Sequence, residues 1–387
     1  MSETEQKAVC PYAKKCGGCM YQGKEYAGQL AIKQAQVGKL FRSFCTVRPI
    51  LGAQNPYYYR NKVHAVYGYV KGSVVSGIYQ ANSHRLIPVE SCQIENQQAD
   101  QIIMDIRGLL VSFKIKTYDE DTGYGFFRHV LIRTGKKTGQ ILVVLVVHDP
   151  IFPSKRNFTK ALKKLHPEIT SIVMNINPNN TNMVLGSREE VLYGPGYIED
   201  ELCGCRFRIS PKSFYQVNPE QTEVLYQKAI EYAALTGSER VIDAYCGIGT
   251  IGIAAAGHAK EVIGVESNAD AVRDAITNAK LNHVDNIRFY RDDAGTFLTA
   301  FAAQGEHADV AFLDPPRAGC SEDFLAALIK AEPDRIVYIS CNPETQERDL
   351  KLLAKKYRPE EVQPVDLFPF TEHVETVVLM SRVENQP

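Results

Sequence analysis

No stretch of the 387-residue chain approaches the roughly 18 consecutive apolar residues that a membrane-spanning helix needs, so no such span is expected. The N-terminus, Met1 to Val9, lacks the charged-then-apolar pattern of an export signal, and a cytoplasmic location is the expectation. Tryptophan is absent, and there are no internal repeats or low-complexity tracts. A composition that is 44% apolar and 23% charged excludes a disordered or collagen-like chain. An excess of charge is also missing: 44 Lys and Arg face 45 Asp and Glu, for a net charge of −1. On its face that balance argues against a polyanionic partner. The average hides an asymmetry, because residues 1–116 hold 15 Lys and Arg against 7 Asp and Glu, leaving the remainder acidic. A polyanion binder needs only its contacting face to be positive, although chance segregation of solvated charges gives the same arithmetic. What the sequence has in plenty is cysteine. Ten of them in a cytoplasmic chain call for a purpose other than disulfides.

At about 150 residues per domain the length predicts two or three domains. The first twenty residues are Cys- and Gly-rich and predict no regular element. A helix is expected over about 22–44, with Leu30, Val37, Leu40, Phe41 and Phe44 as its apolar stripe. Between Tyr57 and Ser210 the pattern turns to strands, as in Val63 to Tyr69, Val130 to Ile132, Ile141 to Val147 and Ile172 to Met174, with a helix near 155–165. From Pro219 onward strands and helices alternate, the mark of a parallel sheet covered on both faces. The predicted division is a β-rich region over 1–210 and an α/β region over 211–387, with the 22–45 helix free to pack on the second.

The chemistry-bearing residues sit where the predicted parallel strands end: Asp243, Glu266, Asp293, Asp314 and Cys341. In doubly wound sheets ligands bind at those ends. Gly247-Ile248-Gly249-Thr250-Ile251-Gly252 fits G-x-G-x-x-G between a strand and a helix, with Glu266 placed to accept hydrogen bonds from ribose hydroxyls. Dinucleotides and S-adenosylmethionine both suit that turn. Asp243, just before it, favours the second, since it could hold a cationic amino group. Asp292-Asp293 suits an adenine amine. Asp314-Pro315-Pro316-Arg317 has an arginine where amino-directed methyltransferases carry an aromatic, which disfavours N-methylation of a base. Cys341, in Ser340-Cys341-Asn342-Pro343, reads either as a nucleophile adding to C6 of a pyrimidine or as a small buried apolar residue. Glu375, beside His373, reads as the base for a C5 proton or as an ordinary surface glutamate.

Cys10, Cys16 and Cys19 have C-x5-C-x2-C spacing in a segment with almost nothing apolar to bury them. A metal or iron–sulfur centre is the economical reading, with zinc open, Cys92 as fourth ligand and Cys45 as its rival. The spacing differs from the C-x3-C-x2-C loop of radical enzymes.

Together with Ser213-Phe214-Tyr215-Gln216-Val217-Asn218 and His373-Val374-Glu375, these motifs resemble the RNA uracil-5-methyltransferase family, in the iron–sulfur branch that modifies bacterial 23S ribosomal RNA. The resemblance covers essentially the whole chain, in a shorter form without the N-terminal β-barrel that some members carry. It implies a Rossmann-like S-adenosylmethionine-dependent methyltransferase domain and a β-rich central domain carrying an iron–sulfur loop. It implies a [4Fe-4S] cluster on Cys10, Cys16, Cys19 and Cys92 with a structural role. Cys341 becomes the nucleophile and Glu375 the base, and Gln216, Tyr245, Thr250, Glu266, Asp293 and Asp314 the donor contacts. The implied partner is RNA, 23S rRNA first, with no membrane and no obligate protein partner. The alternatives are a tRNA uridine C5-methyltransferase or an RNA cytosine-C5 enzyme. Tyr57 to Lys62 and Phe127-Arg128-His129 mix aromatics with cations and are expected RNA contacts, set against ordinary strand residues. Cys246, inside the turn, is the remaining cysteine expected nearest the donor.

Overall fold

A computed structural model describes residues 9–80, 83–179 and 183–383. The chain forms two compact units. The first comprises the described residues up to Gly23 with Asn55–Glu201 and Arg208–Lys212; the second comprises Lys24–Gln54, Leu202–Phe207 and the chain from Ser213 onward.

The first unit is built on a seven-stranded sheet in the order Leu86–Pro88, Ser73–Tyr79, Lys62–Val70, Phe127–Thr134, Ile141–Val147, Ile169–Ile176, Arg188–Tyr193. All neighbours are antiparallel except Ile141–Val147 with Ile169–Ile176, which are parallel and joined through the helix Lys155–Leu165. The run Ile-Leu-Val-Val-Leu-Val-Val is buried at every position, as an apolar strand covered on both faces should be. Helix Gln97–Ser112 packs on this core through Ile102, Ile106 and Leu110. The cysteine segment holds one helical turn, Ala13–Cys16, where no regular element was expected.

The second unit is an eight-stranded sheet in the order Thr46–Val47, Tyr357–Val365, Glu375–Arg382, Arg335–Ser340, Val310–Leu313, Arg240–Ala244, Glu261–Glu266, Ile287–Arg291. Glu375–Arg382 alone runs antiparallel to its neighbours. The chain order reverses at Arg240–Ala244, which lies between Glu261–Glu266 and Val310–Leu313. This is the Rossmann-like arrangement, and it opens a crevice at the strand ends on either side of that reversal. The five parallel strands expected to end at Asp243, Glu266, Asp293, Asp314 and Cys341 are present. Tyr357–Val365 was not expected, since its prolines and charges mask the pattern.

Helix Tyr26–Phe41 belongs to the second unit, with Val37 and Phe41 inside its core. Its buried face is Gln29, Lys33, Val37 and Phe41, one residue per turn: Val37 and Phe41 belong to the apolar stripe expected from sequence, while Gln29 and Lys33 take the places of Leu30 and Leu40, which are only half-buried. Lys33 Nζ is 2.6 Å from Asp366 Oδ1 with both side chains fully buried, and it also donates to the Phe368 carbonyl at 3.0 Å. Tyr26 donates its hydroxyl to Asp366 Oδ2 at 2.8 Å, and Gln29 Oε1 accepts the Phe370 N–H at 2.8 Å. These bonds fix the loop that leads into Glu375.

Candidate active site

The strand Arg240–Ala244 carries Asp243 one residue before its end, and the chain then turns through Tyr245, Gly247 and Gly249, all with positive φ. A Cβ at Gly249, φ +84°, would sit 2.9 Å from Phe289 Cζ, so only glycine fits that close turn. Asp243 is fully buried; its Oδ2 accepts the Gly252 N–H at 2.9 Å, while Oδ1 is buried with no hydrogen-bond partner. Burial pushes its carboxyl up to about 7, with Asp314 and Glu266 adding repulsion. Glu266 Oε2 accepts the Gly247 N–H at 3.2 Å, tying the next strand end to the turn. Thr250 Oγ1 lies 3.2 Å from the Tyr226 hydroxyl, and the Tyr245 ring packs 5.1 Å from Phe324. Asp293 caps the helix Ala294–Ala303 by accepting the Thr296 N–H at 3.0 Å through Oδ1. Gln216 is partly exposed in the loop that enters helix Pro219–Ala233. A glycine turn, a buried unpartnered carboxylate oxygen and several strand-end acids fit a cationic nucleotide-like ligand. Cys246 is buried: a Cβ at Gly264 would lie 3.0 Å from its sulfur, so the thiol packs against the neighbouring strand.

The reactive side of the crevice is set by strand register. Ser340 pairs with Thr376 across antiparallel strands, and the next step outward places Cys341 opposite Glu375. Asp314 follows directly on the adjoining strand Val310–Leu313, and after it comes Arg317, whose carbonyl accepts from Asn342 Nδ2 and Thr345 Oγ1, both at 3.2 Å. That pair fastens the arginine loop to the cysteine turn. Cys341 is pushed up to about 11 by burial and by Glu375, against which the Arg317 guanidinium acts through charge and a hydrogen bond. Glu375 is almost wholly buried and is pushed up to about 8, by burial first and Asp314 second. Burial alone raises Asp314 to about 7. The Cys341 thiol and the Glu375 and Asp314 carboxyls, all shifted upward, thus stand together beside the Arg317 guanidinium, an arrangement characteristic of proton-transfer sites.

Residues 25–383 match the family described as tRNA (Uracil-5-)-methyltransferase. The chain belongs to that family. Relatives named as RNA methyltransferases include one from Halalkalibacterium halodurans, 44% identical over 97% of this chain and 83% of its own length. Another, from Bacillus cereus, is 44% identical over 99% of this chain and 85% of its own. Among solved structures, the Pyrococcus abyssi tRNA (uracil-54, C5)-methyltransferase in complex with S-adenosyl-L-homocysteine superposes with a TM-score of 0.78 at 27% identity, covering 94% of this chain and 85% of that one. This methyltransferase uses S-adenosylmethionine to modify RNA at uracil C5. The Rossmann-like fold expected from sequence is the one observed, and no helix among the described residues is long and apolar enough to cross a membrane.

The sequence-derived cysteine set lies in the first unit, apart from Cys45, which packs on the core of the second beside Glu361. Burial raises the Cys16 and Cys19 thiols, and Cys10 stands close enough to add to both, as Cys16 adds to Cys19. The loop is tied to the Cys92 segment twice: Gln22 Nε2 donates to Gln93 Oε1 at 3.4 Å, and the Glu90 N–H donates to the Tyr12 hydroxyl at 3.3 Å. Glu95 raises both Cys16 and Cys92 and so stands near each. Among the described residues no three of these thiols lie within 4.8 Å of one another. Phe127-Arg128-His129, expected at an RNA surface, faces inward instead. Phe127 is core, and the Arg128 guanidinium is taken up by Glu120, at 2.6 Å, and by the carbonyls of Asn177 and Asn179. Helix Lys155–Leu165 carries a further set of cations, with Arg156, Lys160 and Lys164 exposed, beyond the basic span 1–116.

Proposed function

We propose that the enzyme methylates C5 of a specific uridine in 23S rRNA, with Cys341 as nucleophile and Glu375 as base. The observation that carries this reading is the register that sets Cys341 opposite Glu375 beside the donor crevice. Uracil C5 is too electron-poor to attack a methyl group directly. Addition of the Cys341 thiolate at C6, the thiol proton having passed to water, breaks the C5–C6 double bond and makes C5 enolate-like. S-adenosylmethionine supplies the electrophilic methyl group. Glu375 then takes the C5 proton, the C5–C6 double bond re-forms, and the Cys341 sulfur leaves as thiolate. Arg317 assists by favouring the thiolate. Asp243, with its unpartnered oxygen, together with Gln216, Tyr245, Thr250, Glu266, Asp293 and Asp314, is assigned to the donor. The target base must leave its stack to reach a thiol at the end of a strand.

The ribosomal assignment rests on the cysteine loop, and Cys10, Cys16, Cys19 and Cys92 are assigned to a [4Fe-4S] cluster that folds the loop onto the Cys92 segment. Protein purified without oxygen should carry about four irons and broad visible absorbance; stoichiometric zinc in their place sinks the assignment. The reading places the enzyme in the cytoplasm, where its substrate is. The tRNA alternative draws on the Pyrococcus abyssi enzyme, whose substrate is tRNA uracil 54; a cytosine-C5 enzyme would use the same thiol.

Nucleoside mass spectrometry on RNA from a strain lacking the gene decides the target. One 5-methyluridine should vanish from 23S rRNA with tRNA unchanged, and its loss from tRNA instead overturns the ribosomal assignment. Glu375→Gln should trap RNA on Cys341 as a band that survives denaturing electrophoresis, since the C5 proton then has no acceptor. Absence of that band removes Glu375 from the role. Because Glu375 keeps its proton up to about pH 8, kcat/KM of the native enzyme should fall as pH drops below 8, where the base form is lost.

A further inference from the structure

Helix Lys155–Leu165, with sequence KRNFTKALKKL, carries five cations and no acid. Arg156, Lys160 and Lys164 are exposed and follow one another at i, i+4, i+8, a stripe with charges about 6 Å apart along the axis. Among the described residues none of the three has a hydrogen-bond or ion-pair partner. The other two cations are engaged: Lys155 pairs with Glu190 at 2.5 Å, and Lys163 donates to the carbonyls of Pro167 and Ile169.

The stripe opposes the helix that bears it. Like charges at i, i+4 repel by about 0.2–0.5 kcal/mol per pair. Lys155 and Arg156 stand at the positive end of the helix dipole, where a cation costs about 0.3–1 kcal/mol. The helix lacks a side-chain cap as well, for Ser154 is in a left-handed conformation and makes no capping bond. Lys164, in the last turn, is favoured by the dipole, so what stands against the helix is the repulsion along the stripe and the cations at its start, which an external anion would relieve. They line a groove of about 630 Å³ between this helix and the sheet-edge strand Arg188–Tyr193. On its far wall stand Val191 and Tyr193, 52% and 41% exposed, with Lys163 Nζ 4.7 Å from the Tyr193 ring centre.

We propose that this groove is a second RNA-docking surface, at which Arg156, Lys160 and Lys164 grip successive phosphates of a substrate segment outside the target nucleotide. RNA is the occupant that charge complementarity and the enzyme's own substrate class select. The evenly spaced row of cations matches a repeating backbone charge, and Tyr193 offers a flat apolar surface beside it. The proposal does not depend on whether the target is ribosomal or transfer RNA.

The test is salt-dependent binding of a fluorescein-labelled RNA stem-loop to the full-length enzyme and to R156Q/K160Q/K164Q. Losing three phosphate contacts should flatten the plot of log affinity against log salt by about 2–3 and weaken binding at least about tenfold near 0.1 M salt. Donor binding should not change and the thermal midpoint should not fall, because the three side chains are exposed and unpaired and their mutual repulsion is removed. An unchanged slope overturns the proposal while leaving the methylation reading intact, which the nucleoside analysis decides separately. It is equally overturned if the variant loses affinity for phosphatidylglycerol vesicles but keeps its affinity for RNA.

Discussion

Cys341→Ala is expected to lower turnover by at least about 10⁴-fold, with S-adenosylmethionine binding by calorimetry unchanged. The size follows from the absence of a substitute: without a sulfur to add at C6, C5 never becomes nucleophilic, and other groups in the site cannot compensate singly. The preserved donor affinity follows from position. Cys341 lies at the end of the strand Arg335–Ser340, on the far side of Val310–Leu313 from the glycine turn that follows Arg240–Ala244. Loss of donor binding in the variant would show that the thiol is structural, and residual activity within tenfold of native would remove it from the mechanism. Combined with Glu375→Gln, the alanine should also abolish the trapped RNA band, identifying the sulfur as the attachment point.

Lys33→Ala is expected to destabilise the second unit by about 3–5 kcal/mol, read as a lower urea midpoint, because it strands the buried Asp366 carboxylate. Burial works to lower the Lys33 ammonium and Asp366 holds it up, so each charge depends on the other. K33M/D366N should recover most of the loss, since neither charge is then left alone and Tyr26 keeps an oxygen to donate to. A cost below about 1 kcal/mol for the single variant would mean that water reaches Asp366.

The parallel strands of the second unit were readable from sequence because each is a short apolar run that stops at an acid or a cysteine. Their ends are also where the sheet must place its ligand, so the same residues marked both fold and candidate site. Three kinds of feature escaped. The buried face of Tyr26–Phe41 includes Gln29 and Lys33, whose partners Phe370 and Asp366 lie more than 330 positions away, and local periodicity cannot find them. Helix Gln97–Ser112 had its signal in plain view, with Asn96 accepting the Ala99 N–H and Ile102, Ile106 and Leu110 on one face, yet it sat inside a stretch dominated by strands. Arg128 looked like a phosphate contact by residue type, but Glu120 neutralises it inside the sheet.

The pairing of Thr46–Val47 with Tyr357–Val365 has a consequence for biosynthesis. Lys33 waits for Asp366, 333 positions later, which at about 5–20 residues per second is roughly 15–70 s on the ribosome. Once Lys212 has been made the first unit has all of its chain and can fold, while the helix Tyr26–Phe41 still has no complete sheet to cover. The catalytic unit is therefore not a segment that can be cut out. A fragment starting near residue 211 would leave its core without Val37 and Phe41 and leave Tyr357–Val365 as an open edge, a surface prone to aggregation.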